Sequence, residues 1–303
     1  MITQEDLSRA TGWRGDAEFS VSTLDLAGNN PGSAILGFLD DGRFLPGAAR
    51  NPALSAVLVS EQLEVEARRR LGRDITIVVV DDPRWHFYTL HNEIALAGPL
   101  ENEPTVVHPD AVIHPGAFID GVGVHIAARA VVEPNATVLR SARIGEGAVV
   151  RAGSVIGTPG FEHKRTSRGI LSVTHDGETR IGARTEVGSL TTVARGFARR
   201  HTELGADCRI DSNVMIAHGS HLGDRVFVAG GTVISGSTDI GDDVWIGPGA
   251  TLIDRVKVGV GARVAIGSVV FTKVAPGARV AGNPARASRA SNPRPRSIEN
   301  PDD

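Results

Sequence analysis

Among the ten histidines of this chain, His218 and His221 stand close together in MIAHGSHLG, residues 215–223. An imidazole with its ordinary pKa near 6.5 can take a proton from an attacking amine or hydroxyl at neutral pH, which is general-base chemistry. Zinc is the competing use of histidine, and it needs three convergent ligands. His218 and His221 are three residues apart, no third histidine has a matching spacing, and no metal site is expected. Glycines follow in VAGGTVISGS, residues 228–237. Gly230, Gly231 and Gly236 let a ligand approach the backbone, where their N–H groups can face a developing oxyanion. Cys208 is the single cysteine, so an intramolecular disulfide and any CxxC site are excluded and a reducing compartment fits.

These groups must be positioned by a repeat. An aliphatic residue recurs every six positions without a break from Leu204 through Ile210, Ile216, Leu222, Val228, Ile234, Ile240, Ile246, Leu252, Val258 and Val264 to Val270. Four residues after each stands a small or β-branched residue, from Cys208 to Val274, and glycine often follows the aliphatic position, as at Gly205, Gly223 and Gly241. The same period runs through Val107, Ile113 and Ile119, slips by one residue, resumes from Ile126 to Ile156, and returns at Ile181, Val187 and Val193. Six residues fit neither a helix nor a simple alternating strand, and this period marks a β-helix. Each hexapeptide is a short strand plus a corner, and three make one triangular coil. The 24 rungs predict eight coils, each rising about 4.8 Å. The aliphatic side chain points to the axis, the small residue fills the space beside the next corner, and glycine or Asn/Asp tolerates the bend. His218 then falls on an outward corner rather than in the axis, where it would be a buried polar group. The same position also suits a solvated corner histidine.

The rest of the chain frames this solenoid. Aromatics are only 4% of the 303 residues against 36 glycines, so the core is aliphatic. A net charge of −3 gives no global field for nucleic acid or an anionic membrane. No run reaches the roughly 18 apolar residues of a membrane span, and with no signal peptide in MITQEDLSRA the expected location is cytoplasmic. Residues 1–100 lack the six-residue period and read as a small α/β domain. Strands are expected at 55–60 and 75–80, with a helix between them that carries Glu64–Arg68 and Glu66–Arg70 pairs and stops at Gly72. Asp82 and Pro83 cap a second helix over 83–95. A linker runs from Gly98 to Pro104, the β-helix spans 105–284, and 285–303 is a Pro/Arg-rich flexible tail. Two loops interrupt the period, at 157–180 and 194–203; the second carries Arg195, Arg199, Arg200 and His201, basic residues suited either to a phosphate-bearing substrate or to solvated surface.

The segment 211–241, DSNVMIAHGSHLGDRVFVAGGTVISGSTDIG, resembles the active-site coils of the LpxD family, the UDP-acylglucosamine N-acyltransferases of lipid A synthesis. The likeness extends to TTVARG (191–196), to GTPGF (157–161) and to the N-terminal domain. It implies a left-handed parallel β-helix with a small N-terminal α/β domain, and transfer of an acyl group from an acyl carrier protein or coenzyme A thioester to the amine of a UDP-linked amino sugar. No bound cofactor is implied. Carried over by position, His218 is the base, Asp211 its upstream carboxylate, and Gly236 the oxyanion donor. Phe38 and Phe44, six apart in FLDDGRF, match an aromatic pair that stacks on uracil, and Asp41 stands where the family has a uracil-contacting asparagine. A second family histidine falls at Arg255, Gly219 replaces an asparagine, and the family's helical C-terminal extension gives way to the tail. That tail begins VAGNPAR (280–286), which resembles the end of coenzyme-A-dependent hexapeptide acetyltransferases and marks Asn283 and Arg286, with Gly230, as donor-binding.

The expected assembly is a homotrimer, because flat solenoid faces pair around a threefold axis and a corner histidine needs a neighbour's face to exclude water. Two other readings stay open at this level: an acetyl-CoA-dependent sugar-nucleotide acetyltransferase, and a non-catalytic solenoid that binds a nucleotide sugar.

Overall fold

The structure is a computed structural model that describes residues 1–98, 103–197 and 200–287. Part of the expected linker, Arg199 and most of the expected tail lie outside the described residues. The chain divides into two compact units. The first comprises Met1–Pro104, Pro159–Glu178 and Arg195–Arg200; the second comprises Thr105–Thr158, Thr179–Ala194 and the residues from His201 onward.

The second unit is a parallel β-helix. Its two-to-four-residue strands stack into three sheets of eight, ten and eight strands. The first sheet runs from Val106–Val107 to Lys257–Val258, the second from Val112–Ile113 through Arg263–Val264, and the third from Phe118–Ile119 to Val269–Val270. Register confirms three hexapeptides per coil, since Ile216 pairs with Ile234, Ile234 with Leu252 and Leu252 with Val270. Insertions leave this stacking intact, so Ile156 still pairs with Val193, and Val193 with Ile216. The second sheet extends beyond the expected boundary at 284, because Arg286–Ala287 pairs antiparallel with Val280–Ala281. The aliphatic positions and the small residues four further on form one continuous core, with Ile216, Leu222, Ile234, Ser220 and Thr232 all at 0% exposure. Each buried aliphatic side chain contributes about 1.5–3 kcal/mol.

The bend falls on the third residue after the aliphatic one, and glycine or Asn/Asp takes it at most of the described corners, as expected: Asp207, Asn213 and Gly219 have φ between 57° and 64°, while Arg225, Ser237 and Arg255 adopt 56° to 61° with other side chains. The glycine directly after the aliphatic residue serves close approach instead. A Cβ at Gly182 would lie 2.3 Å from the Gly205 carbonyl oxygen, and one at Gly205 would lie 2.5 Å from the Gly223 carbonyl carbon.

The first unit carries a four-stranded parallel sheet in the order Thr23–Leu24, Ile35–Leu39, Leu54–Val59, Thr76–Val79. Helix Glu61–Arg70 has both expected ion pairs, at 2.9 Å each. It ends at Leu71, whose backbone turns extended, rather than at Gly72. Helix Pro83–Leu96 is capped by Asp82, which accepts a hydrogen bond from the Trp85 N–H at 2.9 Å. The long insertion forms a hairpin, His163–Thr166 against Gly169–Ser172. It is fastened to this helix by Asn92, whose side chain donates to the Ser172 carbonyl and accepts from the Thr174 N–H. Asp82 also accepts from the Ser167 N–H at 2.6 Å.

Candidate active site

The corner between the third and first sheets gathers the chemistry. His218 sits on it, following the strand Met215–Ile216 and preceding His221–Leu222. The backbone of successive coils is hydrogen-bonded along this edge. The Gly219 N–H donates to Thr202 Oγ1 at 2.8 Å, the Ser237 N–H to the His218 carbonyl at 2.8 Å, and the Arg255 N–H to the Gly236 carbonyl at 3.0 Å. His201–Thr202, His218–Gly219, Gly236–Ser237 and Arg255 therefore occupy four consecutive turns.

Within this column His218 and Gly236 are in intimate contact. A Cβ at residue 236 would lie 2.6 Å from His218 Cε1, 2.8 Å from Nε2 and 3.1 Å from Nδ1, so the imidazole rests on the bare glycine backbone. His218 Nδ1 is shielded from solvent, while the residue as a whole stays partly exposed. Among the described residues the Gly236 N–H donates no hydrogen bond. A partly enclosed imidazole beside an uncommitted amide donor can deprotonate a nucleophile and stabilise the oxygen on which charge then develops.

The other expected residues are distributed more widely. Asp211 lies on the preceding corner, where its carboxylate accepts from the Ser212 N–H at 2.7 Å and the Gly230 N–H at 3.0 Å. The Gly230 amide is thereby committed, which separates it chemically from Gly236. Arg255 is exposed, at the position one coil beyond Ser237. The turn carrying Asn283 packs on the last rung, where the Val269 N–H donates to the Gly282 carbonyl and the Ala285 N–H to the Val269 carbonyl. Arg286 is exposed on the final strand. His221 faces outward from the first sheet, 3.5 Å from Asp239. A groove of about 840 Å³ runs along that face past His125, Arg143, Arg180, Glu203 and His221, and does not include His218.

In the first unit, Phe38 packs against Phe87 and Tyr88, with ring centroids 4.9 and 5.6 Å away, so much of its surface serves that unit's core. Phe44 is 48% exposed, with the Arg43 guanidinium 4.8 Å from its ring centre. Asp41 caps the turn that follows, accepting from the Arg43 N–H at 2.8 Å. It lines a concavity of about 260 Å³ with Asp40, Arg43, Asp82, Arg84 and Ser167. Asp40 follows the strand Ile35–Leu39, and Asp82 lies just beyond Thr76–Val79. This is the carboxyl end of a parallel sheet, where open α/β folds commonly bind ligands. Burial works against the charge of Asp82, but the amides of Ser167 and Trp85 outweigh it and hold its carboxyl below the usual range. Arg195 is nine-tenths buried within this unit rather than presented on a surface.

Sequence reading overlooked Thr202, which anchors the His218 corner from the coil below. Its signal was present: Thr202 precedes Leu204 by two, as Ser220 precedes Leu222, but the five-residue insertion after Val193 obscured the register.

Comparison with known proteins agrees with this architecture. The family described as bacterial transferase hexapeptide (six repeats) matches residues 201–236. A solved UDP-N-acetylglucosamine acyltransferase is similar in fold, with a TM-score of 0.51 at 23% identity over 60% of this chain and 70% of that one, which places the second unit among the left-handed parallel β-helices. A UDP-3-O-acylglucosamine N-acyltransferase of Shewanella denitrificans is 35% identical over 94 residues, 31% of this chain and only 27% of the relative, so the chain matches well under two thirds of that protein's length. A protein of the same description from Coxiella burnetii is 30% identical over 256 residues, 74% of this chain and 71% of the relative. With identity sustained over that length and across the hexapeptide coils that carry His218, the chain belongs to the UDP-3-O-acylglucosamine N-acyltransferase family.

Proposed function

We propose that this protein transfers an acyl group from a thioester to the amine of a UDP-linked amino sugar. The observation that carries the reading is the seating of the His218 imidazole on Gly236, beside an amide N–H that no described group occupies. With Nδ1 shielded, Nε2 is the nitrogen that meets substrate. The amine nitrogen bonds to the thioester carbonyl carbon while His218 Nε2 accepts its proton. The carbonyl electron pair moves onto an oxygen that the Gly236 N–H stabilises. Collapse of this intermediate breaks the carbon–sulfur bond, and the thiolate leaves with the proton returned by the imidazolium. The products are an amide and a free thiol.

Within the same reading, Phe38 and Phe44 hold the uracil with Asp41 at its edge, and the exposed Arg255 acts on the substrate side. Asp211, bonded to two amides, supplies negative charge at the neighbouring corner. The thioester is borne by acyl carrier protein or coenzyme A, with Gly230, Asn283 and Arg286 on the donor side.

A cytoplasmic homotrimer is part of the proposal. No helix among the described residues is long and apolar enough to cross a membrane. The outward positions of the third sheet are Phe118, Thr137, Val155, Thr192, Met215, Val233, Thr251 and Val269, without a charge on any of its eight rungs. The first sheet presents Arg143, Arg180, Glu203, Asp239 and Lys257 instead. An uncharged face bordering the His218 corner is the kind of surface that further copies of the chain cover.

The test is mass-spectrometric turnover of UDP-amino sugars offered with short and long acyl-CoA and acyl carrier protein donors, for wild type and His218→Ala. Amide product that requires His218 supports the reading. Binding of the sugar nucleotide without product from any pair points to a non-catalytic solenoid.

A further inference from the structure

The residue four after each aliphatic one packs inside the coil, and most along the unbroken run are Val, Ala or Cys. Ser220 and Thr238 carry hydroxyls there instead, at 0% and 1% exposure. A hydroxyl so buried needs a hydrogen-bond partner, and these two share one. Ser220 Oγ donates to the Ser235 carbonyl at 3.0 Å and Thr238 Oγ1 donates to the same oxygen at 2.7 Å. The second contact of Thr238 Oγ1, 3.4 Å to the Ile253 carbonyl, is longer.

The Ser235 carbonyl and the Gly236 N–H belong to one peptide group, planar and trans. A carbonyl drawn inward onto two buried hydroxyls aims the N–H the opposite way, out of the coil at the His218 corner. The same construction recurs at three other corners, and there the outward amide holds a carboxylate oxygen. The Gly205 carbonyl accepts from Thr185 Oγ1 at 2.6 Å, and the Ala206 N–H donates to Asp224 at 2.7 Å. The Gly223 carbonyl accepts from Cys208 Sγ at 3.1 Å, and the Asp224 N–H donates to Asp242 at 2.9 Å. The Ala229 carbonyl accepts from Thr232 Oγ1 at 2.8 Å, and the Gly230 N–H donates to Asp211 at 3.0 Å. At Gly236 two hydroxyls stand behind the peptide and, among the described residues, no carboxylate stands in front of it.

Resting on the acyl-transfer reading above, we infer that Ser220 and Thr238 are positioning residues that fix the Gly236 N–H toward the reacting oxygen and strengthen it as a donor. Hydrogen bonds in series polarise one another, so donors on the carbonyl make the N–H of the same peptide a better partner for negative oxygen. Neither hydroxyl touches substrate. Their effect falls on the oxygen that becomes charged in the transition state, and so on rate rather than on binding.

The experiment compares wild type with Ser220→Ala, Thr238→Val, Thr238→Ser and Thr185→Val, the last removing a like bond on the corner between the first and second sheets. The dipeptide Ser-Gly occurs once in the chain, at 235–236. Cell-free protein with carbonyl-13C serine and 15N-glycine therefore gives a single coupled NMR signal for this peptide. The expected single-turnover rate falls about tenfold in Ser220→Ala and in Thr238→Val, less than the 100-fold or more lost with a whole oxyanion donor. The Kd of the UDP-amino sugar stays within threefold of wild type. In the same two variants the Ser235 carbonyl carbon and the Gly236 amide proton move upfield. Thr238→Ser keeps wild-type rate and signal, and Thr185→Val changes neither. Full rate in both Ser220→Ala and Thr238→Val, a slowed rate with the Gly236 signal unmoved, or equal slowing by Thr185→Val overturns the inference. Absence of turnover by wild type refutes the acyl-transfer reading alone. The labelled peptide then still decides the assignment, which a moved signal supports and an unmoved one overturns.

Discussion

The tightest structural claim about the site is that residue 236 must lack a side chain, and Gly236→Ala tests it. Its backbone is outside the left-handed region, so alanine suits the conformation, and the atoms that its Cβ would meet belong to the His218 ring at 2.6, 2.8 and 3.1 Å. Ordinary carbon contacts begin at about 3.5 Å, so the imidazole has to retreat by roughly 1 Å. A displacement of that size at a reacting group costs about 100-fold in rate. We expect kcat to fall about 100-fold, while stability drops by no more than about 1 kcal/mol because a side chain rather than a neighbouring coil gives way. Steady-state kinetics and urea unfolding on one preparation measure both quantities. Gly249→Ala is the control. It has φ +64° with nothing within 4 Å of its Cβ, so it loses about 1 kcal/mol to backbone strain and keeps its turnover. Gly236→Ala enzyme with kcat within threefold of wild type would refute the seating of the base on this glycine.

Three further outcomes follow from the geometry. Gly182→Ala sets a Cβ 2.3 Å from the backbone of the next coil, where nothing can rotate away, and is expected to cost more than about 3 kcal/mol by urea unfolding. Asp82→Ala removes the acceptor of the Trp85 and Ser167 amides and should lower the stability of the first unit by about 1–2 kcal/mol, read by hydrogen exchange in helix Pro83–Leu96. Burial pushes the pKa of His86 down, against the opposing pull of the Asp82 backbone and the Asp81 charge. The unfolded chain therefore takes up a proton near pH 6.5 that the folded chain refuses. Stability contributed by neutral His86 is full above pH 6.5 and falls below it, at up to about 1.4 kcal/mol per pH unit. His86→Gln should flatten the unfolding midpoint between pH 7 and 5, and an unchanged profile would count against this account.

The period of six determined the solenoid before any coordinates, because a fixed spacing of aliphatic and small residues has one economical burial, and the structure reproduces all three stretches of it. The small domain was legible only in part. Charge pairs and the Asp82–Pro83 cap act within a few residues and located two helices. The strands Thr23–Leu24 and Ile35–Leu39 and the helix Gln4–Thr11 went unassigned, since their apolar residues are buried by partners distant in sequence. That the insertion Pro159–Glu178 belongs to the first unit could not be read locally either, because the bonds that fasten it run from Asn92 and Asp82.

For the site, residue type and spacing picked out His218 and Gly236 individually, since a histidine at a corner and a glycine one coil on are visible in the repeat. Their contact, the commitment of the Gly230 amide to Asp211, the burial of Arg195 and the placement of His201 beside the same edge were decided by tertiary structure alone. The sequence period is a rule about which side chains face the axis. What happens on the outer edge depends on coil-to-coil register and on where insertions return the chain, and those are properties of the stacked backbone rather than of any single hexapeptide.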